Sequence, residues 1–120
     1  MTDRHALGRL GEAMAAAYLD ACGYAVVDRR WRRPGGELDL VVARGRFVVF
    51  VEVKTRGPGA LDRPEAALAP AQRHRLRQLA RRWLAEHPGA AAEGCRCDVV
   101  AVSHAGEGRG CVLRHFADAF

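Results

Sequence analysis

Asp39, Glu52 and Lys54 are the residues whose types and spacing could do chemistry. Lys54 is the only lysine in a chain with 19 Lys and Arg residues in all. The three fall in two apolar runs, Glu37 to Arg44 and Arg46 to Thr55, joined around Gly45. This pattern predicts a β-hairpin with a tight turn. Because side chains alternate faces along a strand, Glu37 and Asp39 share a face with Val41, while Leu38, Leu40 and Val42 share the other. On the second strand Glu52 and Lys54 lie on one face with Phe50. If Gly45-Arg46 is the two-residue loop, Asp39 stands opposite Glu52 and Glu37 opposite Lys54. If Arg44-Gly45 is the loop, Asp39 becomes a diagonal neighbour of Glu52. Both registers bring the carboxylates to one face, and a three-residue loop without a compensating bulge would separate them.

Two carboxylates facing each other in a mostly apolar sheet repel, and burial raises that cost unless positive charge lies between them. A hard divalent cation, Mg²⁺ (or Mn²⁺), takes oxygen ligands from one or two carboxylates and keeps several waters. Held by Asp39 and Glu52, it would bind a phosphate, polarise it and acidify a coordinated water. Lys54, one strand step from Glu52, would orient the water or stabilise charge on the phosphorane. The composition also singles out position 54, since arginine supplies every other cationic side chain. An ammonium is a compact charge whose pKa shifts readily, unlike the planar guanidinium. The plain alternative is a surface ion pair between Glu37 and Lys54 on an exposed sheet edge. That reading leaves Asp39 on the same face without a reason.

The elements that must position these groups follow from periodicity and punctuation. A helix is expected from about Thr2 to Cys22, with Leu7, Leu10, Met14, Ala17, Tyr18 and Ala21 as its apolar stripe. Thr2 or Asp3 would cap it and Gly23 would stop it. Tyr24 to about Trp31 reads as a strand, and Arg32-Arg33-Pro34-Gly35-Gly36 as a loop. The near-continuous apolar run Phe47 to Val51 predicts a strand covered on both faces, central in its sheet. Arg56 to Arg63 reads as a loop. A second helix starts near Pro70 and runs to His87 before Pro88-Gly89. It has Leu76, Leu79, Ala80, Trp83 and Leu84 on one side and Arg73, Arg75, Arg77, Arg81 and Arg82 on the other. Asp98 to Val102 and Cys111 to Phe116 read as strands around a Gly-rich turn at Gly106 to Gly110. The order is αβββαββ in a single domain, residues 1–120: an α/β mixed sheet flanked by helices.

Glu37-Leu38-Asp39-Leu40 followed by Val51-Glu52-Val53-Lys54-Thr55-Arg56 resembles the D-x(n)-E-x-K arrangement of the PD-(D/E)xK nuclease superfamily, whose restriction-endonuclease-like αβββαβ core matches this order. Together with Gly8-Arg9-Leu10-Gly11-Glu12 and the segment His115 to Phe120, the chain resembles the YraN family, small bacterial proteins similar to archaeal Holliday-junction resolvases. The resemblance covers nearly the full chain. It implies metal binding by Asp39 and Glu52, a catalytic role for Lys54, and a supporting acidic role for Glu12. Leu38 stands where the superfamily's nominal proline would precede the aspartate. From its own helix, Glu12 points almost opposite the Leu7–Leu10–Met14 stripe, which reads as a solvated position. Gly8, Gly11 and Ala15 form a small-residue arc beside it that would allow close approach to the sheet.

The net charge of +5 favours a polyanionic partner, and DNA is the partner that the resemblance implies. Arg30, Arg32 and Arg33 cluster with Arg29 around Trp31, beside the loop that leads into Asp39. Arg56 directly follows the Lys54-Thr55 pair, and Arg73 opens the arginine face of the second helix. These five are the expected phosphate contacts, which give affinity without reading sequence. Gln72 and Thr55 could line the site as well. No helix-turn-helix or zinc-finger pattern suggests base reading, and no Walker or serine-hydrolase motif suggests other chemistry. The expected activity is endonucleolytic hydrolysis of DNA, branched or processed DNA included. A binding module that keeps the fold without turnover is the alternative. Of the four cysteines, Cys22, Cys95, Cys97 and Cys111, the Cys95-x-Cys97 pair lacks zinc spacing and reads as small strand residues in a reducing compartment. The absence of an apolar span or leader pattern leads to the expectation of a cytoplasmic protein that does not enter membranes. A homodimer would suit a two-strand cutter by analogy with resolvases.

Overall fold

A computed structural model describes residues 4–56, 68–104 and 110–120. The proposed caps Thr2 and Asp3, the loop after Arg56 and most of the Gly106–Gly110 turn lie outside the described residues. The elements are α1 (Arg4–Ala21), β1 (Ala25–Arg33), β2 (Gly36–Arg44), β3 (Phe47–Arg56), α2 (Pro70–Glu86), β4 (Gly94–His104) and β5 (Cys111–Phe116), the order read from the sequence. They form a mixed α/β sheet, β1-β2-β3-β4-β5, with β3 at its centre. All neighbours are antiparallel except β3 and β4. Parallel neighbours need a crossover connection, and here it carries α2. Among the described residues no helix is long and apolar enough to cross a membrane.

Each face of the sheet is closed by one helix, which explains why β3 is buried almost continuously. On the α2 side the core holds Trp31, Leu38, Val41, Phe50, Leu76, Leu79, Trp83 and Val99. On the α1 side it holds Ala15, Leu19, Leu40, Val42, Val49, Val51, Val53 and Val100. The α2 stripe is the expected one, with Leu76, Leu79, Ala80 and Trp83 buried.

The α1 stripe is not. Gly11, Ala15, Ala16 and Leu19 are buried, whereas Ala17 and Ala21 are exposed and Leu10 is 55% exposed. The reason is close approach: a Cβ at Gly11 would stand 2.0 Å from Thr55 Oγ1 at the end of β3. Only the small-residue side of α1 can come that near, so the helix docks there with Leu19, and Leu7, Leu10 and Met14 fall at the margin.

Two other expectations are corrected. The supposed loop Arg32–Gly36 is mostly strand: β1 and β2 pair as far as Arg33 with Gly36, leaving only Pro34-Gly35 to turn. Similarly, β4 begins at Gly94 rather than Asp98, because Gly94 to Cys97 pair with Phe47 to Phe50. Strand alternation also fails in one place. Leu38 packs on the α2 side and Leu40 on the α1 side, so β2 changes facing at Asp39. Opposite, β1 carries a register shift between Val26 and Asp28 and a left-handed residue, Arg30, at φ 47°.

Candidate active site where β2 and β3 part

The hairpin turn is Gly45-Arg46, with Arg44 facing Phe47 and Leu40 facing Val51. Gly45 at φ 59° supplies the positive φ such a turn requires. The described ladder ends at Leu40–Val51. Beyond it the strands separate, and Asp39 turns its carboxylate into the gap, where Oδ2 accepts the Val53 amide at 2.8 Å. Glu52 lies beside it, only 9% exposed.

Asp39 and Glu52 together line two cavities. One, of about 650 Å³ on the α1 side, is also bounded by Gly8, Glu12, Thr55 and Arg56. The other, of about 230 Å³ on the α2 side, is bounded by Gly36, Glu37, Gln72 and Arg75. Burial pushes the Glu52 carboxyl up to about 9, with the adjacent Asp39 carboxylate next in effect and Glu37 adding to it; Lys54 pulls the other way. Desolvation disfavours the charged form, and a like charge alongside disfavours it further.

Glu12 reaches this gap from α1 because Gly11 brings the helix onto Thr55. Its Oε2 accepts Arg30 Nε at 2.7 Å. Carboxylate oxygens of Glu12, Glu37 and Asp39 lie within 4.8 Å of one another, close enough for one cation to touch all three. The expected partner of Glu37, Lys54, is replaced by Arg32, whose guanidinium stands 3.0 Å from Glu37 Oε2. Arg32 is its direct cross-strand neighbour on β1, while β3 has already diverged from β2 at that level. Lys54 is half-buried one step beyond Glu52 and forms no ion pair among the described residues.

The arginines divide. Arg30 and Arg32 are held by Glu12 and Glu37. Arg33 is held by Glu86 at 2.7 Å and covers the buried Trp31 ring at 4.2 Å. Trp31 is thus a core residue rather than a free stacking surface. Arg56 lines the larger cavity and, among the described residues, donates to its neighbour's carbonyl, Thr55 O. Arg73 is half-buried and donates to Leu68 O at 3.1 Å. Arg75, grouped by the sequence with the solvent side of α2, lines the smaller cavity with Gln72. The signal was available: Gln72, Arg75 and Leu79 follow the three- and four-residue spacing of one helix side.

A second polar cluster serves the fold. Asp98, fully buried, takes two bonds from Arg96 at 2.8 Å. It also takes one from His115 Nε2 at 2.7 Å and one from the Asp118 amide at 2.9 Å. His115 Nδ1 lies 2.9 Å from the Tyr18 hydroxyl. Burial alone would raise the Asp98 carboxyl, but Arg96, the Asp118 amide and His115 together hold it below the usual range. The cluster ties β4, β5 and the C-terminal turn to α1, away from the cavities. All four cysteines are free, and burial, ahead of the neighbouring Cys95, pushes the Cys97 thiol up to about 11.

A mixed five-stranded α/β sheet with a helix on each face, and acidic side chains converging where two antiparallel strands part, is a restriction-endonuclease-like arrangement. The family model described as uncharacterised protein family UPF0102 matches residues 11–102. The chain belongs to this family, the YraN family. It is similar to a UPF0102 protein of Nitratidesulfovibrio vulgaris (strain DP4), 45% identical over 117 residues, covering 98% of this chain and 85% of the relative. A UPF0102 protein of Beutenbergia cavernae is 51% identical over 102 residues, 85% of this chain and 86% of its own length. One from Moorella thermoacetica is 43% identical over 99 residues, 82% of each chain.

Proposed function

We propose that this protein is a cytoplasmic, metal-dependent endonuclease that hydrolyses phosphodiester bonds in DNA, branched or processed DNA included. The observation that carries the reading is the Asp39–Glu52 pair where β2 and β3 part, with oxygens of Glu12 and Glu37 close to Asp39. Nothing in packing requires two carboxyl groups there, and keeping a proton on one of them up to about pH 9 marks a site short of positive charge.

The donor set fits a hard divalent cation, Mg²⁺ or Mn²⁺: carboxylate oxygens only, several of them open to a cavity. Asp39 and Glu52 would hold it, with Glu12 in support. When bound, such an ion supplies charge neutralisation and Lewis-acid polarisation of a phosphoryl oxygen. The chain's own groups do the rest. The Val53 amide fixes the Asp39 carboxylate. Arg30 orients Glu12 toward the gap, and Arg32 does the same for Glu37. Lys54 places an ammonium beside Glu52, where it can stabilise charge developing on the phosphate. Arg56, which lines the larger cavity, can hold a phosphate oxygen.

Single-stranded, flapped and four-way-junction DNA incubated with the protein and Mg²⁺ or Mn²⁺ tests the proposal. Cleavage should occur with the native chain and disappear with Asp39→Asn. Binding of these DNAs without cleavage in either metal would leave a nucleic-acid-binding module in its place.

A further inference from the structure

The cavities around the carboxylates are neighbours that share lining residues. The larger one shares Glu12 with a third, of about 390 Å³, lined by Arg9, Ala13, Arg29, Arg30 and Leu40. It shares Asp39 and Glu52 with the small one on the α2 side. The carboxylates therefore stand between cavities on the two faces of the sheet, which together outline a slot. Guanidinium groups mark its two ends: Arg9 and Arg29 on the α1 side, Arg75 on the α2 side. Among the described residues none of these three is ion-paired, whereas Arg30, Arg32 and Arg33 each are. An unpaired guanidinium keeps its full fork of donors for an arriving phosphate.

A ligand touching both ends must pass from one face of the sheet to the other around the end of β2 and β3. The turn is made across the thickness of a single sheet. Duplex DNA, stiff over about 150 base pairs, cannot follow it. An unpaired strand can, with its phosphates on the arginines. We infer that the slot threads a single unpaired DNA strand across the sheet end, Arg75 holding the backbone on one side of the carboxylates and Arg9 and Arg29 holding it on the other. This takes from the proposed function the placement of the reacting phosphate between them; the binding itself requires no turnover.

Fluorescence anisotropy in EDTA, with a short labelled single strand and a duplex of the same sequence, tests the inference across a salt series. The single strand should bind more tightly than the duplex. Removing one arginine–phosphate interaction should reduce the slope of log K against log salt by about 0.7. That predicts a drop of about 0.7 for Arg75→Ala and up to about 1.4 for Arg9→Ala/Arg29→Ala. Arg81→Ala, exposed on α2, should change nothing. A duplex bound as tightly as the single strand would overturn the threading, as would slopes in the Arg75 and Arg9/Arg29 variants equal to that of Arg81→Ala. The expected slopes without Asp39-dependent cleavage would sustain the slot and reject the nuclease. Cleavage with unchanged slopes would do the reverse.

Discussion

The backbone amide of Val53 donates to Oδ2 of Asp39 at 2.8 Å, so a side chain stands where the β2–β3 ladder would have placed a carbonyl. The register that pairs Leu40 with Val51 would carry on to Leu38 with Val53, but Leu38 turns into the core on the α2 side. The strands part without orphaning the amide, which would otherwise be a buried donor without a partner. The same bond fixes one carboxylate beside the other.

That proximity has a measurable pH signature. Burial, and then Asp39, raise the Glu52 carboxyl from 4.5 to about 9. Between those values the folded chain keeps a proton that the unfolded chain has released, so stability of the metal-free protein falls as pH rises. Thermal melts in EDTA should show Tm decreasing from about pH 5 to about pH 9. Glu52→Gln should flatten the decline and melt higher than the native chain at the alkaline end. A native Tm that is level or rises across this range would contradict the burial of a protonated carboxyl.

Gly11 is predicted to be intolerant of any side chain. A Cβ there would lie 2.0 Å from Thr55 Oγ1 and 3.2 Å from both Thr55 Cβ and Cγ2. Gly11→Ala should cost about 1–3 kcal/mol by overpacking, and Thr55→Ala in the same chain should recover much of it through coupling. Gly8→Ala, with nothing within 4 Å of the added carbon, should instead stabilise by about 0.5–1 kcal/mol. Urea unfolding of the four variants measures the contrast.

Asp98 should dominate acid stability. Its carboxyl is held below the ordinary 3.8, so its contribution is full above that value and is lost as pH falls through the lower folded one. Asp98→Ala leaves Arg96 and His115 without their shared acceptor and should cost about 3–5 kcal/mol at neutral pH. Asp98→Asn should unfold more easily at neutral pH and lose less on acidification. Circular dichroism titrations from neutral to acid pH read both.

Lys54 should matter to turnover and little to folding, since it forms no ion pair among the described residues. Lys54→Met should lower the cleavage rate by about 10²–10³, in the range for removing one transition-state donor, with Tm unchanged within a degree or so. Lys54→Arg should restore little, because a planar fork does not replace a compact ammonium. Parallel rate and melting measurements separate the two effects.

The element order and the central position of β3 were legible because Phe47 to Val51 is apolar on both faces and each helix carries a periodic side. The Gly45-Arg46 turn was legible too, and parity as far as Leu40–Val51 brings Asp39 next to Glu52, although the change of β2 facing at Asp39 was not legible. The facing of Glu12 was legible only in part, through the small-residue arc of Gly8, Gly11 and Ala15. Counting apolar residues favours Leu7, Leu10 and Met14, while Gly11 decides the docking by lacking a Cβ, which no hydropathy pattern records. Glu37 was assigned to Lys54 by extending an ideal ladder past Leu40–Val51. The register shift in β1 and the left-handed Arg30 arise from long-range packing and leave no local mark. Arg75 was read with the solvent side of α2 because its charge groups it with the other arginines, although its spacing from Gln72 and Leu79 puts it on the side that lines the smaller cavity.

Whether Asp39 and a protonated Glu52 form one cation site is tested most directly by calorimetric titration with Mn²⁺ in two buffers of different ionisation enthalpy. Near neutral pH, binding should occur at one ion per chain with release of about one proton, that of Glu52, and should vanish in Asp39→Asn. Binding that survives Asp39→Asn, or that releases no proton, would contradict the shared site, as would the absence of any binding.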